Sequence, residues 1–374
     1  MVDFKVLNTN RIYGLDILRA FAILFVVYGH GYPILKSCIQ EKYYNLLEFD
    51  GVSMFFVLSG FLIGQILIKL FQKENINIKD VLNFWIRRWF RTLPNYFFVL
   101  TFLSLTFFFL KRIKLLKAIK FYFFAQNLYY NQPGFFIEAW SISVEEWFYL
   151  SVPVLILIFS KCFSLKITKS ILFAAFFVIF FVTSYRFFHS FTHPAIIFSD
   201  WNITYRMQVI TRLDSLMYGL LGAFVYIYNK KIFFKYKKEF FILGIFILLI
   251  SKYIVGFTSY VFYNNVFSFI IESFGALFLI PFLVSIKKGQ GFFYKMFTFI
   301  SIISYSMYLI NYTLVQDLLL PGSFKIFGII DSDDIFFLIL KYFLYWFYTL
   351  IGSYFLFIFI EKPTTRLREN FKFH

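Results

Sequence analysis

Apolar residues recur along this chain in runs of about 20, the length that crosses the hydrocarbon of a bilayer as a helix. Short stretches holding most of the Lys and Arg separate these runs. The runs cover 12–33, 50–71, 93–110, 141–160, 170–188, 205–228, 239–256, 265–285, 297–320 and 335–360. A chain patterned this way must satisfy its backbone within helices, which predicts an all-α, polytopic integral membrane helix bundle of about ten transmembrane helices. Both termini then lie on one side. No internal repeat, low-complexity linker or soluble appendage interrupts the pattern, so 1–374 reads as a single membrane domain.

Alternate connections are basic: Lys73, Lys79, Arg87, Arg88 and Arg91; Lys161, Lys166 and Lys169; Lys230, Lys231, Lys235, Lys237 and Lys238; Lys287, Lys288 and Lys295; and finally Lys362, Arg366, Arg368 and Lys372. The positive-inside rule assigns these segments, and both termini, to the cytoplasm. Opposite connections are poorer in cations, and the one before the last span carries Asp331, Asp333 and Asp334. Residues 111–140 break the rule, because they open with Lys111, Arg112, Lys114, Lys117 and Lys120 on the side that should be poor in cations. The run 121–130 is too short to cross, so it is expected to form an interfacial or re-entrant helix. The basic leader with Lys5 and Arg11 meets an apolar run too long for a signal-peptide core, and is expected to remain as an anchor.

Composition narrows the class. With 60% hydrophobic and 25% aromatic residues and a mean hydropathy of +0.72, an ordinary soluble globule is excluded. The net charge of +17 does not point to nucleic acid, because the cations sit in short loops rather than on one amphipathic surface. The 61 Phe residues spread through nearly every span and read as lipid-facing bulk. Cys38 and Cys162 fall on opposite sides and offer neither a disulfide nor a metal site.

Chemistry resides in the charges carried inside the spans. The first span holds Asp16, Arg19 and His30. At about 100° per residue, Arg19 and His30 share a face with Ile23 and Val26, about 16 Å apart along the axis, with Asp16 one turn before Arg19. Such a stripe must face protein or water. Its bland reading is an Asp16–Arg19 pair near one surface and a hydrogen-bonded His30 near the other. Arg88 and Arg91 share a face next to Pro94, read as the start of a helix; they are either a basic anchor or a fork for phosphates, while Arg87 points elsewhere. Ser141, Ser143, Glu145 and Glu146 open the fourth span, where one Ser and one Glu would suffice as a cap, so at least one carboxylate should meet a cation or a hydroxyl inside the bundle. Arg212 and Asp214 are two residues apart, face opposite ways, and each needs a partner on another helix. Ser304, Tyr305, Ser306, Tyr308 and Asn311 form a polar strip open to simple interhelical hydrogen bonding. Glu272 reads as structural, and His189 and His193 read as surface residues despite their i,i+4 spacing.

Seven stretches resemble, in order and over nearly the full length, the acyltransferase-3 family of integral membrane O-acyltransferases, the O-antigen and Nod-factor O-acetylase type. They are GLDILRAFAILFVVYGH at 14–30, FFVLSGFLI at 55–63, RRWFRTLPNY at 87–96, WSISVEEWFYL at 140–150, RLDSLMYG at 212–219, SYSMYLIN at 304–311 and IEKP at 360–363. The resemblance implies transfer of an acyl group, usually acetyl from cytoplasmic acetyl-CoA, to a hydroxyl of a free or lipid-linked cell-surface glycan in a bacterial cytoplasmic (inner) membrane. It implies functional roles for Arg19, His30, Arg88 and Arg91, and for Glu145 and Glu146, with no metal and no nucleic acid. Asp16, Arg212, Asp214, Ser141, Ser143 and Tyr305 join the candidate binding set. Two departures stand out: Asn311 occupies a position where the family often has His, which argues against a proton-transfer role there, and no fused extracytoplasmic esterase-like domain is visible.

In the mechanism this suggests, His30 acts as base or transient nucleophile, Glu145 or Glu146 orients it or offsets its charge, and Arg19 contacts the donor's phosphates or thioester carbonyl. The competing reading is a glycan or small-anion permease or flippase, since intramembrane charges also mark transport pathways. Loops 189–206 and 321–334 do not distinguish lipopolysaccharide from capsule, peptidoglycan or a small-molecule acceptor.

Overall fold

A computed structural model describes residues 11–73, 76–254, 260–326, 328 and 334–367. The leader's Lys5, the loop residues Asp331 and Asp333, and Arg368 and Lys372 lie outside the described residues. All regular structure in that set is helical. The long helices are α1 (Tyr13–Leu35), α2 (Gly51–Phe71), α3 (Ile78–Phe109), α4 (Ala139–Lys161), α5 (Ile167–Thr192), α6 (Asp214–Tyr228), α7 (Lys237–Ile254), α8 (Ser268–Ser285), α9 (Gly291–Ile310) and α10 (Ile335–Leu356). Among the described residues, nine helical segments are long and apolar enough to cross a membrane. The tenth, α7, is an 18-residue helix with four charged residues that packs along α8.

α1 lies at the centre, in contact with α2, α8, α9 and α10. Its Asp16, Ile23 and Val26 are buried, so the predicted polar stripe does face protein. α2 and α6 pack most closely, and small residues permit it: a Cβ on Gly60 would lie 1.9 Å from the Leu216 carbonyl oxygen, and one on Gly219 2.1 Å from that of Val57. Close backbone approach through small residues is how helices associate where lipid removes the hydrophobic drive. Phenylalanine divides between two roles. Phe173, Phe176, Phe180 and Phe188 are exposed on α5 as lipid-facing bulk requires, whereas Phe56, Phe61, Phe121, Phe136, Phe148 and Phe269 are fully buried.

Four spans depart from their expected form. α3 begins 15 residues before 93, with Asn77 and Asp80 forming a reciprocal capping box, so Arg87, Arg88, Arg91 and Pro94 lie inside a 32-residue helix rather than at its start. A helix of that length rises about 48 Å, more than the roughly 30 Å of hydrocarbon, and its polar first turns escape a hydropathy window. α4 starts at Ala139, so Ser141 and Ser143 are interior rather than caps. The sixth span is broken into Asn202–Arg206, Val209–Arg212 and α6. The ninth changes to π-type winding at Asn311–Leu319.

The anomalous loop 111–140 returns into the bundle, as expected, but its helix is Leu115–Tyr122 and the portion that enters is irregular. Gln126, Asn127 and Glu138 are buried, and the segment fills the break before α6. The Asn127 carbonyl accepts from Val209 N–H at 2.9 Å, and the Asn127 amide donates to the Met207 carbonyl at 2.6 Å. Irregular backbone at membrane depth is tolerated because protein satisfies it.

Arg212 and Asp214 do find partners elsewhere. Arg186 of α5 donates twice to Asp214, at 3.0 and 2.6 Å, with both side chains fully buried. Arg212 donates to Ser53 Oγ at 2.8 Å and lies 3.9 Å from Asp50. Removing one member of a buried pair orphans the other charge, so Arg186→Met is expected to cost about 3–5 kcal/mol. Thermal unfolding in detergent checks this; Arg186→Met combined with Asp214→Leu should recover most of the loss.

Candidate functional site

The interior carries two polar clusters, one near each end of α1. At the end reached by its last turns, His30 Nδ1 lies 2.5 Å from Asn311 Oδ1. The Asn311 amide nitrogen donates to the carbonyls of Met307 and Tyr308 at 2.9 and 3.0 Å. Carbonyls only accept, so the amide oxygen must be the atom turned to the imidazole. His30 Nδ1–H is then the donor, and in the neutral ring the lone pair lies on Nε2. Tyr312 packs edge-on to the ring, with centroids 5.0 Å apart.

Backbone winding places Asn311. The carboxylate of Glu138, just before α4, accepts from Tyr312 and Thr313 N–H at 3.2 and 2.7 Å and from Thr313 Oγ1 at 2.5 Å. It thereby satisfies donors that the change from α to π winding releases. Arg206 lies within electrostatic reach of His30, donates to Asp50 at 3.2 Å and stacks over Trp140. Asp50 also caps α2 through Val52 and Ser53 N–H. Ser53 lies 3.2 Å from Glu272, so that carboxylate joins the Asp50–Arg206–Arg212 group rather than standing alone. Ser141 donates to Tyr308 Oη at 2.6 Å, and Ser143 accepts from Gln126.

The other cluster surrounds Arg19. Asp16 pairs with Arg11 and accepts from Ser301, not from Arg19 as the spacing suggested, because Arg11 folds back over the start of the helix. Arg19 lies within electrostatic reach of Arg91, Arg11, Asp16 and Glu145. Among the described residues, neither Arg19 nor Arg91 forms a salt bridge within the protein. Two neighbouring guanidiniums outside any salt bridge suit an anion.

Glu145 accepts from Ser59 and Tyr149 at 2.9 and 2.8 Å, and Glu146 accepts from Thr92 at 3.1 Å. Tyr305 donates to the Thr92 carbonyl at 2.8 Å. Glu361, from the IEKP stretch, accepts from Ser306 at 2.8 Å. Glu145 and Glu146 therefore belong with Arg19, Arg88 and Arg91, and neither orients His30. They sit two turns along α4 from Glu138, on the arginine side. Asp214 is taken up by Arg186, and Arg212 by Ser53 and Asp50, so those two charges hold helices together.

Sequence reasoning missed Asn311 as the partner of His30, and it missed Arg186, Arg206, Asp50 and Glu138. For Asp50 a signal existed, since Asp before Gly51 at the head of an apolar run is a capping pattern. No group of three or more His, Cys, Asp or Glu that could hold a metal occurs among the described residues. His189 and His193 stack on each other 4.6 Å apart.

The profile of the acyltransferase-3 family, described as an acyltransferase domain, matches residues 12–358. An O-acetyltransferase OatA of Staphylococcus aureus is 29% identical over 344 residues, covering 83% of this chain and 52% of that protein. A peptidoglycan O-acetyltransferase OatA of Listeria monocytogenes is 30% identical over 164 residues, covering 39% of this chain and 24% of its own. The chain thus spans about half the length of the Staphylococcus aureus relative. No solved structure matches it.

Glu138→Ala should leave the donors of Tyr312 and Thr313 without an acceptor, at roughly 1–3 kcal/mol for each buried group. Unfolding in detergent measures this, and Glu138→Gln, which keeps one acceptor oxygen, should lose less.

Proposed function

The chain belongs to the acyltransferase-3 family, and on that premise we propose that it is a membrane O-acetyltransferase that esterifies a hydroxyl of a cell-surface or exported glycan, with acetyl-CoA as donor. The whole chain, 1–374, acts as one membrane acyltransferase domain in a bacterial cytoplasmic membrane, with both termini in the cytoplasm. The observation that carries this reading is the separation of functions along α1. Arg19 stands with Arg91, both outside any salt bridge among the described residues, and an imidazole with a free Nε2 stands about 16 Å of helical rise away.

The arginine end suits the donor. Arg19, Arg88 and Arg91 offer the forked, permanently charged groups that phosphates take bidentately, and they lie at the end of the bundle that the charge rule assigns to the cytoplasm. The donor supplies a thioester carbonyl, whose C–S bond breaks as the C–O bond to the acceptor forms. Glu145 and Glu146 temper the arginine field and hold Ser59, Tyr149 and Thr92 in place.

The histidine end suits the acceptor. His30 Nε2 takes the proton of the attacking hydroxyl and returns it to the departing thiolate. By accepting from Nδ1–H, Asn311 selects the neutral tautomer whose lone pair lies on Nε2. Arg206, within electrostatic reach, offsets negative charge that develops on the carbonyl oxygen.

His30→Ala is expected to lower transfer by about 10²-fold or more, the usual share of a positioned base. Mass spectrometry of the host's surface glycans, with and without the chain and with the variant at equal expression, reads this as gain or absence of one acetyl mass per repeat. Arg88→Ala with Arg91→Ala should instead raise the donor KM. Full ester levels from His30→Ala would overturn the assignment.

A further inference from the structure

Residues 108–120 gather the cations that the topology rule leaves unexplained. Lys111, Arg112, Lys114 and Lys117 line a cavity of about 750 Å³ together with Phe108 and Phe109. The wall thus combines cationic and aromatic side chains. Lys111 adopts a left-handed backbone, φ 56°, at the sharp turn that ends α3 and directs these side chains to a common hollow. The cations are exposed, and among the described residues none of the four forms a salt bridge within the protein. Beside them, Phe109 and Leu116 are 76% and 77% exposed, so exposed apolar surface adjoins the charged hollow.

The hollow also connects to the histidine end. Arg112 lies within electrostatic reach of Asp317. Asp317 belongs to the same π-wound segment as Tyr312, which packs on His30. The loop from 111 ends at Glu138, the residue that holds that segment. The hollow follows the last turn of α3 and His30 the last turns of α1, so a ligand anchored there would lie on the same side of the bundle as the base.

We propose that this hollow binds the phosphate or pyrophosphate of a lipid-linked acceptor, the cations holding the anion while Phe108, Phe109 and the adjoining exposed face receive the start of its apolar chain. Charge complementarity selects the headgroup, and apolar surface contiguous with the bilayer selects an anion that is itself membrane-anchored. The inference rests on the acetyltransferase reading for the glycan that the anchor carries. Binding is measured without donor, so failure of the hollow and failure of acyl transfer are separable.

The test uses the full chain in dodecyl maltoside and follows binding of farnesyl diphosphate, inorganic pyrophosphate and phosphatidylglycerol by calorimetry. Farnesyl diphosphate is expected to bind about tenfold or more tightly than either of the others. Lys111→Gln, Lys114→Gln and Lys117→Gln together should weaken it about tenfold, and since these side chains are exposed the fold should stay intact. Phe108→Ser with Phe109→Ser should weaken farnesyl diphosphate while leaving pyrophosphate unchanged. Equal binding of inorganic pyrophosphate would make this a site for free phosphate, and equal binding of phosphatidylglycerol a contact with bulk lipid; either overturns the proposal. Unchanged affinity in the lysine variant would do the same.

Discussion

A charge carried into the hydrocarbon depth of a membrane has to be met by another region of the protein, and this requirement organises the bundle. Arg186 and Asp214 neutralise each other between α5 and α6. Asp50 draws Arg206 and Arg212 to the head of α2, and Arg11 turns back to meet Asp16. Each pairing fixes the rotation of a helix that hydrophobic packing alone would leave free, because lipid tails are as apolar as the side chains they would compete with. Arg19 with Arg91 at one end and His30 with Asn311 at the other lie outside these pairs, and the candidate chemistry lies with them.

The breaks in helical winding serve the same two ends. If α9 continued as an α-helix through Asn311, the N–H groups of Tyr312 and Thr313 would bond within the helix and Glu138 would have nothing to hold. The π-wound segment frees them, and the re-entrant loop supplies the acceptor. In the same way the break before α6 places Arg206 near the imidazole while Asn127 satisfies the interrupted backbone. At both of these places a loop side chain takes the released groups.

Much of this was readable in the sequence, and the features that were not share a physical cause. The all-α polytopic bundle followed from run length alone, and the two-residue spacing of Arg212 and Asp214 required partners on separate helices, as the structure shows. Spacing along one helix, however, says nothing of what faces it from another. Asn311, just past the end of α9, could not be matched to His30 on α1, nor Arg186 to Asp214, and the bland reading of Asp16 and Arg19 was a pair that Arg11 in fact takes. The start of α3 was missed because hydropathy reports the membrane, not the helix, and the capping box at Asn77 and Asp80 lies outside the apolar run. Pro94 looked like a boundary because proline usually is one, yet the helix passes through it.

In the proposed reaction, donor and acceptor meet the protein from opposite faces of the membrane, and an acetyl group, not the glycan, crosses. Reconstitution into sealed vesicles with a single protein orientation tests it, with radiolabelled acetyl-CoA supplied only at the face bearing Arg88 and Arg91 and a glycan acceptor enclosed at the other. Labelled ester inside the vesicles, absent when His30 is replaced by Ala, is the predicted result. Unmodified glycan emerging on the donor side, with no ester formed, would contradict the account and favour a permease.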